Sequence, residues 1–279
     1  MIKAVHAHDE TASHDHGQAP ATRMVRVRVL RQDVAGGESY WERFEVPYEP
    51  NMNVISVLQK IAARARSRDG RRVAPVAWDC SCLEEVCGSC TMLINGRTRM
   101  ACSALVDRLV EENGEEIELR PMSKFPVVRD LVVDRQRLFR SLERVKAWVP
   151  VDGSYDHGPG PRISPEEQED AYPLAECISC GCCLEACPQF NQEPDATKWD
   201  SSFIGAHAIN QARLFNSHPT GATLADERLD VLMGEGGVND CGNAQNCVKV
   251  CPKAIPLTES IAVMGRETLK RALFGWLLK

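Results

Sequence analysis

The sequence predicts an α+β chain built in two parts, a small α+β unit over residues 23–122 and a mostly helical unit over residues 164–279. Three observations carry that expectation. A length of 279 residues suits two domains better than one. Strict apolar alternation and a tight-turn signal lie near the N-terminal side, whereas apolar spacings of three and four dominate the remainder. The cysteines also divide, one group in the first part and two in the second.

The first part reads as follows. Val25, Val27 and Val29 alternate with Arg26 and Arg28, the pattern of a half-buried strand. Phe44 and Val46 suggest a second strand, stopped by Pro47. Val54, Val57, Leu58 and Ile61 fall on one helical face, with Asn51 or Asn53 near the cap. Thr91–Ile94 and Arg97–Met100 flank Asn95-Gly96, a tight hairpin. Ile117 and Leu119 suggest a last strand after an Asn113-Gly114 turn.

Residues 123–163 are expected to form a connecting helix and loop. Leu131, Val132, Leu138, Leu142 and Val145 make an irregular helical stripe, and residues 151–163 are rich in Gly, Pro and Asp. Ser164-Pro165-Glu166-Glu167 is a capping box with proline at the first helical position, so a helix starts there. Ile204, Ala208, Ala212 and Phe215 form another helical face ahead of Pro219, and a last helix runs from Thr258. Residues 1–22 carry His6, His8, His14 and His16 among few apolar residues, and are expected to be a solvated, disordered extension, with a metal-binding tail as the alternative.

Composition narrows the function. With 43% apolar residues the chain has enough apolar surface to fold. Acidic residues outnumber basic ones, 39 to 33, which disfavours nucleic acid as a partner. No run approaches a membrane span, and no basic start precedes an apolar core, so an intracellular chain is expected. Thirteen cysteines then stand out. Thiols in a reducing compartment have little use for disulfides, and an odd count argues against a complete framework, which leaves metal ligation.

The spacings specify which metal. Cys82, Cys87 and Cys90 give C-x4-C-x2-C, with Cys102 beyond the hairpin, the plant-type ferredoxin arrangement for a [2Fe–2S] cluster. Cys177, Cys180, Cys183 and Cys187-Pro188 give C-x2-C-x2-C-x3-C-P, the bacterial ferredoxin run whose fourth cysteine serves the other cluster of a pair. Cys241, Cys247 and Cys251-Pro252 fit the same template with Ala244 at the second ligand position. Crossing the fourth cysteines assigns Cys177, Cys180, Cys183 and Cys251 to a [4Fe–4S] cluster. It leaves Cys187, Cys241 and Cys247 around a corner that alanine cannot ligate, the setting for a [3Fe–4S] cluster. Zinc is the plainer alternative, but its pairs usually show C-x2-C on both sides. Cys80 and Cys182 fall outside the spacings and read as a spare and a packed thiol. Three clusters make a one-electron relay, and with no G-x-G-x-x-G after a strand the two-electron chemistry belongs on another subunit.

Over residues 24–279 the sequence resembles the iron–sulfur subunits of succinate dehydrogenase and fumarate reductase. The likeness rests on the run Ser81-Cys82-Leu83-Glu84-Glu85-Val86-Cys87-Gly88-Ser89-Cys90, on Cys177 through Pro188, on Cys241 through Lys253, and on Phe125 through Asp134. The resemblance implies an N-terminal β-grasp plant-type [2Fe–2S] ferredoxin domain and a C-terminal, mostly α-helical, bacterial-type ferredoxin domain. It implies a flavoprotein subunit carrying FAD on one side and a membrane cytochrome b anchor, with haem b and quinone, on the other. The chain would then lie peripherally on the cytoplasmic face of the membrane. Electrons would pass from flavin through the three clusters to quinone, and the dicarboxylate site would belong to the flavoprotein. Fumarate reduction in the reverse direction, or service to another flavoprotein oxidoreductase, are the alternatives. Leu83-Glu84-Glu85-Val86 is similar to the menaquinone-linked branch, and Gln192 and Gly242 replace the Trp and His of ubiquinone pockets. Pro188 alone is carried over to the quinone vicinity.

Overall fold

The computed structural model describes residues 23–114, 116–150 and 161–275. The His-rich extension and most of the glycine-rich loop lie outside the described residues.

Strand β1 (Met24–Arg31) pairs antiparallel with β2 (Tyr40–Pro47) and parallel with β5 (Glu116–Arg120). The hairpin of β3 (Thr91–Ile94) and β4 (Arg97–Met100) joins through β3, giving the order β2-β1-β5-β3-β4. One face of this mixed sheet buries Val25, Val27, Val29, Phe44 and Val46 beneath helix α1 (Val54–Arg64), which contributes Val54, Val57, Leu58 and Ile61. That is the expected β-grasp arrangement. On the opposite face alternation places Arg28 2.5 Å from Glu118. Asn53, not Asn51, caps α1: its Oδ1 accepts the Ser56 N–H at 2.9 Å. Its amide also donates to the Cys102 carbonyl at 2.9 Å, so one side chain starts the helix and holds a cysteine backbone.

One expectation is extended here and one fails. The Asn113-Gly114 turn ahead of β5 closes helix α2 (Val106–Asn113), an element not expected from sequence, and Gly114 at φ 85° donates its N–H back to Val110 O. Val106 and Leu109 bury the apolar side of this helix. Leu131 and Val132 are not helical. Asp130, at φ 47°, turns β6 (Val127–Arg129) back into β7 (Val132–Val133), and only then does helix α3 (Gln136–Arg144) begin. Tertiary bonds override local pattern at this point. The fully buried Asp130 carboxylate accepts Arg31 Nε and Nη2 at 3.0 Å, Gln32 N at 3.2 Å and Ala77 N at 2.8 Å.

The second half is helical. Helix α4 (Pro165–Ala175) carries the capping box read from sequence: Glu167 N donates to Ser164 Oγ, and Ser164 N to the Glu167 carboxylate. Two four-residue helices lie within the cysteine runs, α5 (Cys182–Glu185) and α8 (Asn246–Lys249). Around them pack α6 (Ala206–Ser217), α7 (Ala225–Met233) and α9 (Leu257–Phe274). Ile204 lies just ahead of α6, still fully buried.

The halves are locked together. Glu185, buried on α5, accepts Ser123 N at 2.9 Å, Ser123 Oγ at 2.6 Å and Lys124 N at 3.0 Å. Cys180 and Cys182, from the second half, complete the core of the first.

Candidate metal centres

Between Cys82 and Cys90 the backbone enters the left-handed region at Leu83 (φ 62°), Glu85 (φ 57°) and Gly88 (φ 70°). Such reversals turn successive N–H groups to one side, a concavity suited to negative charge. The N–H groups of Glu84, Val86 and Cys87 point at Cys82 Sγ at 3.4, 3.3 and 3.3 Å. Those of Cys82 and Ser89 point at Cys87 Sγ, both at 3.5 Å. These donors, the Cys82 N–H first, pull the Cys87 thiol down to about 6. The β3–β4 hairpin then returns Cys102 beside Cys90, with Ala101 N donating to Cys90 O at 3.1 Å. Burial first, then the contact with Cys90, pushes Cys102 up to about 11. Cys80 is exposed at the start of the loop.

In the second half the near-repeats form a pair of opposed turns. Each four-residue helix follows a left-handed residue, Gly181 (φ 84°) before α5 and Gln245 (φ 58°) before α8. Each helix sends one cysteine inward and releases the chain toward the other's cavity. One hollow is therefore lined by Cys177, Cys180, Cys183 and Cys251 together. Another is lined by Cys187, Cys241 and Cys247, with Ala244 and Pro188 in its wall. The crossed groupings read from spacing are thus the groupings that the fold brings together. The thiols ring volumes, not points: among the described residues no three His, Cys, Asp or Glu side chains converge tightly enough for a single ion. Burial raises Cys177, Cys183 and Cys247, while Cys180 is raised first by its contact with Cys182. Ligation therefore has to displace protons from these sulfurs.

A family model described as a 2Fe-2S iron-sulfur cluster binding domain matches residues 26–140, and one described as a 4Fe-4S dicluster domain matches residues 173–255. Over 246 residues, 88% of this chain and 93% of the relative, the chain is 52% identical to the succinate dehydrogenase iron–sulfur subunit of Bacillus subtilis. The chain belongs to the iron–sulfur subunits of succinate dehydrogenase and fumarate reductase.

Like them, this iron–sulfur subunit is an electron-transfer component of an oxidoreductase. It is 29% identical to the fumarate reductase iron–sulfur subunit of Wolinella succinogenes, over 88% of this chain and 97% of that one. Its fold matches a chain of the Mycobacterium smegmatis Sdh1 complex in the apo form, with TM-score 0.68 and 24% identity over 90% of this chain and 98% of that one. Among the described residues no helix is long and apolar enough to cross a membrane.

Counting cysteines misses the groups that support them. His207 is buried in the wall of the first cavity, its Nε2–H donating to Leu138 O at 3.3 Å while Nδ1 has no partner among the described residues. Burial pulls His207 down to about 4, so the ring is neutral. Arg135, at the start of α3, donates from Nη1 to Gly88 O and from Nη2 to Ser89 O, both at 2.8 Å. No spacing rule marks either residue, because both act through tertiary contacts. Gly88 could be found from its place inside the cysteine loop. A β-carbon there would stand 2.7 Å from Cys180 Cα, so the first loop lies directly against the second thiol set.

Proposed function

We propose that this iron–sulfur subunit relays single electrons between a flavoprotein subunit carrying FAD and a quinone. Its ligands would be Cys82, Cys87, Cys90 and Cys102 for a [2Fe–2S] cluster, and Cys177, Cys180, Cys183 and Cys251 for a [4Fe–4S] cluster. Cys187, Cys241 and Cys247 would hold a [3Fe–4S] cluster. Such clusters, when bound, take up and release one electron at a time. The chain supplies the setting. The backbone N–H groups of residues 84, 86 and 87 stabilise negative charge on Cys82. Apolar residues, including Ile255 and Leu257 at one cavity and Phe203 and Ile261 at the other, form part of each wall. Gly88 lets the first loop close on Cys180, which keeps the path between the two sites short.

The observation that carries the reading is the crossing of the cysteine runs into two separate cavities, with an alanine at the remaining corner of the second. Pro188 and the amide side chains of Gln189 and Asn243 line that second cavity, the end of the relay that would face quinone. Menaquinone is favoured by Leu83-Glu84-Glu85-Val86, and by Gln192 and Gly242 at the positions where ubiquinone pockets carry aromatic and imidazole groups. A cytochrome b anchor with haem b would hold the chain at the cytoplasmic face of the membrane. The same relay serves succinate oxidation and, in reverse, fumarate reduction.

Electron paramagnetic resonance of the purified complex, oxidised in air and then reduced with dithionite, tests this. About nine irons per chain are expected from the three ligand patterns. An isotropic signal should be present when oxidised and replaced on reduction by two further signals. Ala244→Cys should convert the oxidised signal by supplying a fourth thiolate. An oxidised sample silent in the wild type would remove the [3Fe–4S] assignment.

A further inference from the structure

Arg135 stands where the two halves come closest. It is the residue preceding α3, and its guanidinium spans the Gly88 and Ser89 carbonyls at 2.8 Å each. Those carbonyls belong to the segment that lies against Cys180, where a β-carbon on Gly88 would come within 2.7 Å of Cys180 Cα and 2.8 Å of its Cβ. Several arginines of this chain are matched to acids, Arg31 to Asp130 and Glu42, Arg140 to Asp200 and Glu143, Arg271 to Asp226 and Asp230, whereas Arg137 and Arg228 also bond carbonyls but lie away from the first thiol set. Among the described residues Arg135 has no carboxylate within ion-pair distance, and its two short bonds are to neutral carbonyls. Burial works against its charge, and Cys180, Asp79, Cys182 and Cys90 work in its favour. Cys90 belongs to the first thiol set and Cys180 to the second. A guanidinium stays protonated even when partly buried, so this is a fixed positive charge between two sets of sulfurs.

We propose that Arg135 is a positioning residue for electron transfer between the first and second sites, clasping the Cys82–Cys90 loop onto Cys180 and biasing both sites toward their reduced forms. The inference rests on the cluster assignment proposed above. Adding an electron makes each site more negative, and an uncompensated cation in a medium of lowered dielectric favours the more negative state. The charge is shared, so its removal shifts both sites in one direction. The third site, built from Cys187, Cys241 and Cys247, uses none of these contacts and serves as the internal reference. Clasp and charge are separable by substitution. Lysine keeps the charge but cannot span two carbonyls in a fixed fork, whereas glutamine discards the charge and retains a donor.

The test is a redox titration of the assembled complex followed by electron paramagnetic resonance, with iron content and all three signals recorded first. If the wild type lacks those signals, the cluster assignment fails and the titration is not reached. Once they are present, Arg135→Gln is expected to lower the midpoints of the first and second sites and leave the third unmoved. Arg135→Lys should hold both midpoints near wild type while weakening the magnetic coupling between the two reduced sites. Unmoved first and second midpoints in Arg135→Gln overturn the proposal, as does an equal shift at all three. If Arg135→Gln does not retain iron, Arg135→Lys decides alone: unchanged midpoints with weakened coupling support the clasp, and wild-type coupling overturns it.

Discussion

The two halves solve the same problem, gathering thiols around a buried group, in opposite ways. In the first half the sheet and α1 supply most of an apolar core that Cys180 and Cys182 complete, with Cys90 and Cys102 buried in it and Cys82 and Cys87 half-buried at its edge. The loop brings its own electrostatics, five N–H···S contacts from the backbone alone. In the second half the cavities are the interior. Cys183 and Cys247 are counted among its buried core residues, and Cys177, Cys187, Cys241 and Cys251 pack against that core. The helices that carry them are four residues long, far too short to persist without tertiary support. The second half therefore leans on its metal groups more than the first, whose sheet and long helix hold their shape by their own bonds.

Iron removal breaks that comparison most forcefully. Chelation of the reduced complex should abolish amide-exchange protection in α5 and α8 and in the first turns of α9, which lean on the emptied cavities. Protection in β1 and β5 should persist. Equal loss in both halves would mean that the first core is not self-sufficient.

Next in size is Gly88→Ala, which strikes the junction. At φ 70° the left-handed backbone alone costs about 1–2 kcal/mol for a residue with a side chain. Here the new methyl also meets Cys180 backbone, which cannot swing aside. Gly36 is the control, because it has the same φ of 70° and nothing within 4 Å. Gly36→Ala should show only the backbone term in a denaturation midpoint. Gly88→Ala should show more than that and should also lower iron occupancy at both neighbouring sites. If the two variants behave alike, the close approach of the halves contributes nothing.

Glu185→Ala is expected to be milder. Its carboxylate gathers three donors from Ser123 and Lys124 at a part-buried site, and losing these charge-assisted bonds costs about 1–3 kcal/mol. Glu185→Gln keeps one acceptor oxygen and should fall between. Thermal unfolding of the assembled complex ranks the three, and an alanine variant as stable as the wild type would show that residues 123–124 hold the halves together by packing alone.

The same contrast explains what could be read from the sequence. The first sheet was legible because its residues obey a local rule: Val25, Val27 and Val29 alternate, and Asn95-Gly96 turns. The thiol groupings were legible because cluster ligation imposes spacing on the chain itself. Helix α2 was not legible because Asn113-Gly114 marks a turn whether or not a helix precedes it. The Asp130 turn was lost because its cause is Arg31, 99 residues away. Arg135 and His207 were invisible for the same reason, since each is defined by a carbonyl distant in sequence.

His207 gives the smallest effect and the one most specific to the second half. Residues 23–150 contain no histidine, and the helical half contains only His207 and His218. In the folded chain burial holds His207 near 4, against 6.5 for the free side chain. A depressed value means that the unfolded state takes up the proton first. The native fold therefore has its full stability above pH 6.5 and loses it as pH falls toward 4. A shift of this size is worth about 3 kcal/mol over the whole window, and about 2 kcal/mol by pH 5. His207→Leu removes the titration at the cost of one hydrogen bond to Leu138 O, about 1 kcal/mol. The variant should thus be slightly weaker than the parent at pH 7.5 and more stable at pH 5. The urea midpoint for bleaching of the visible absorption, measured at both values, reads this directly. Parallel pH slopes for parent and variant would place the acid sensitivity of the second half elsewhere.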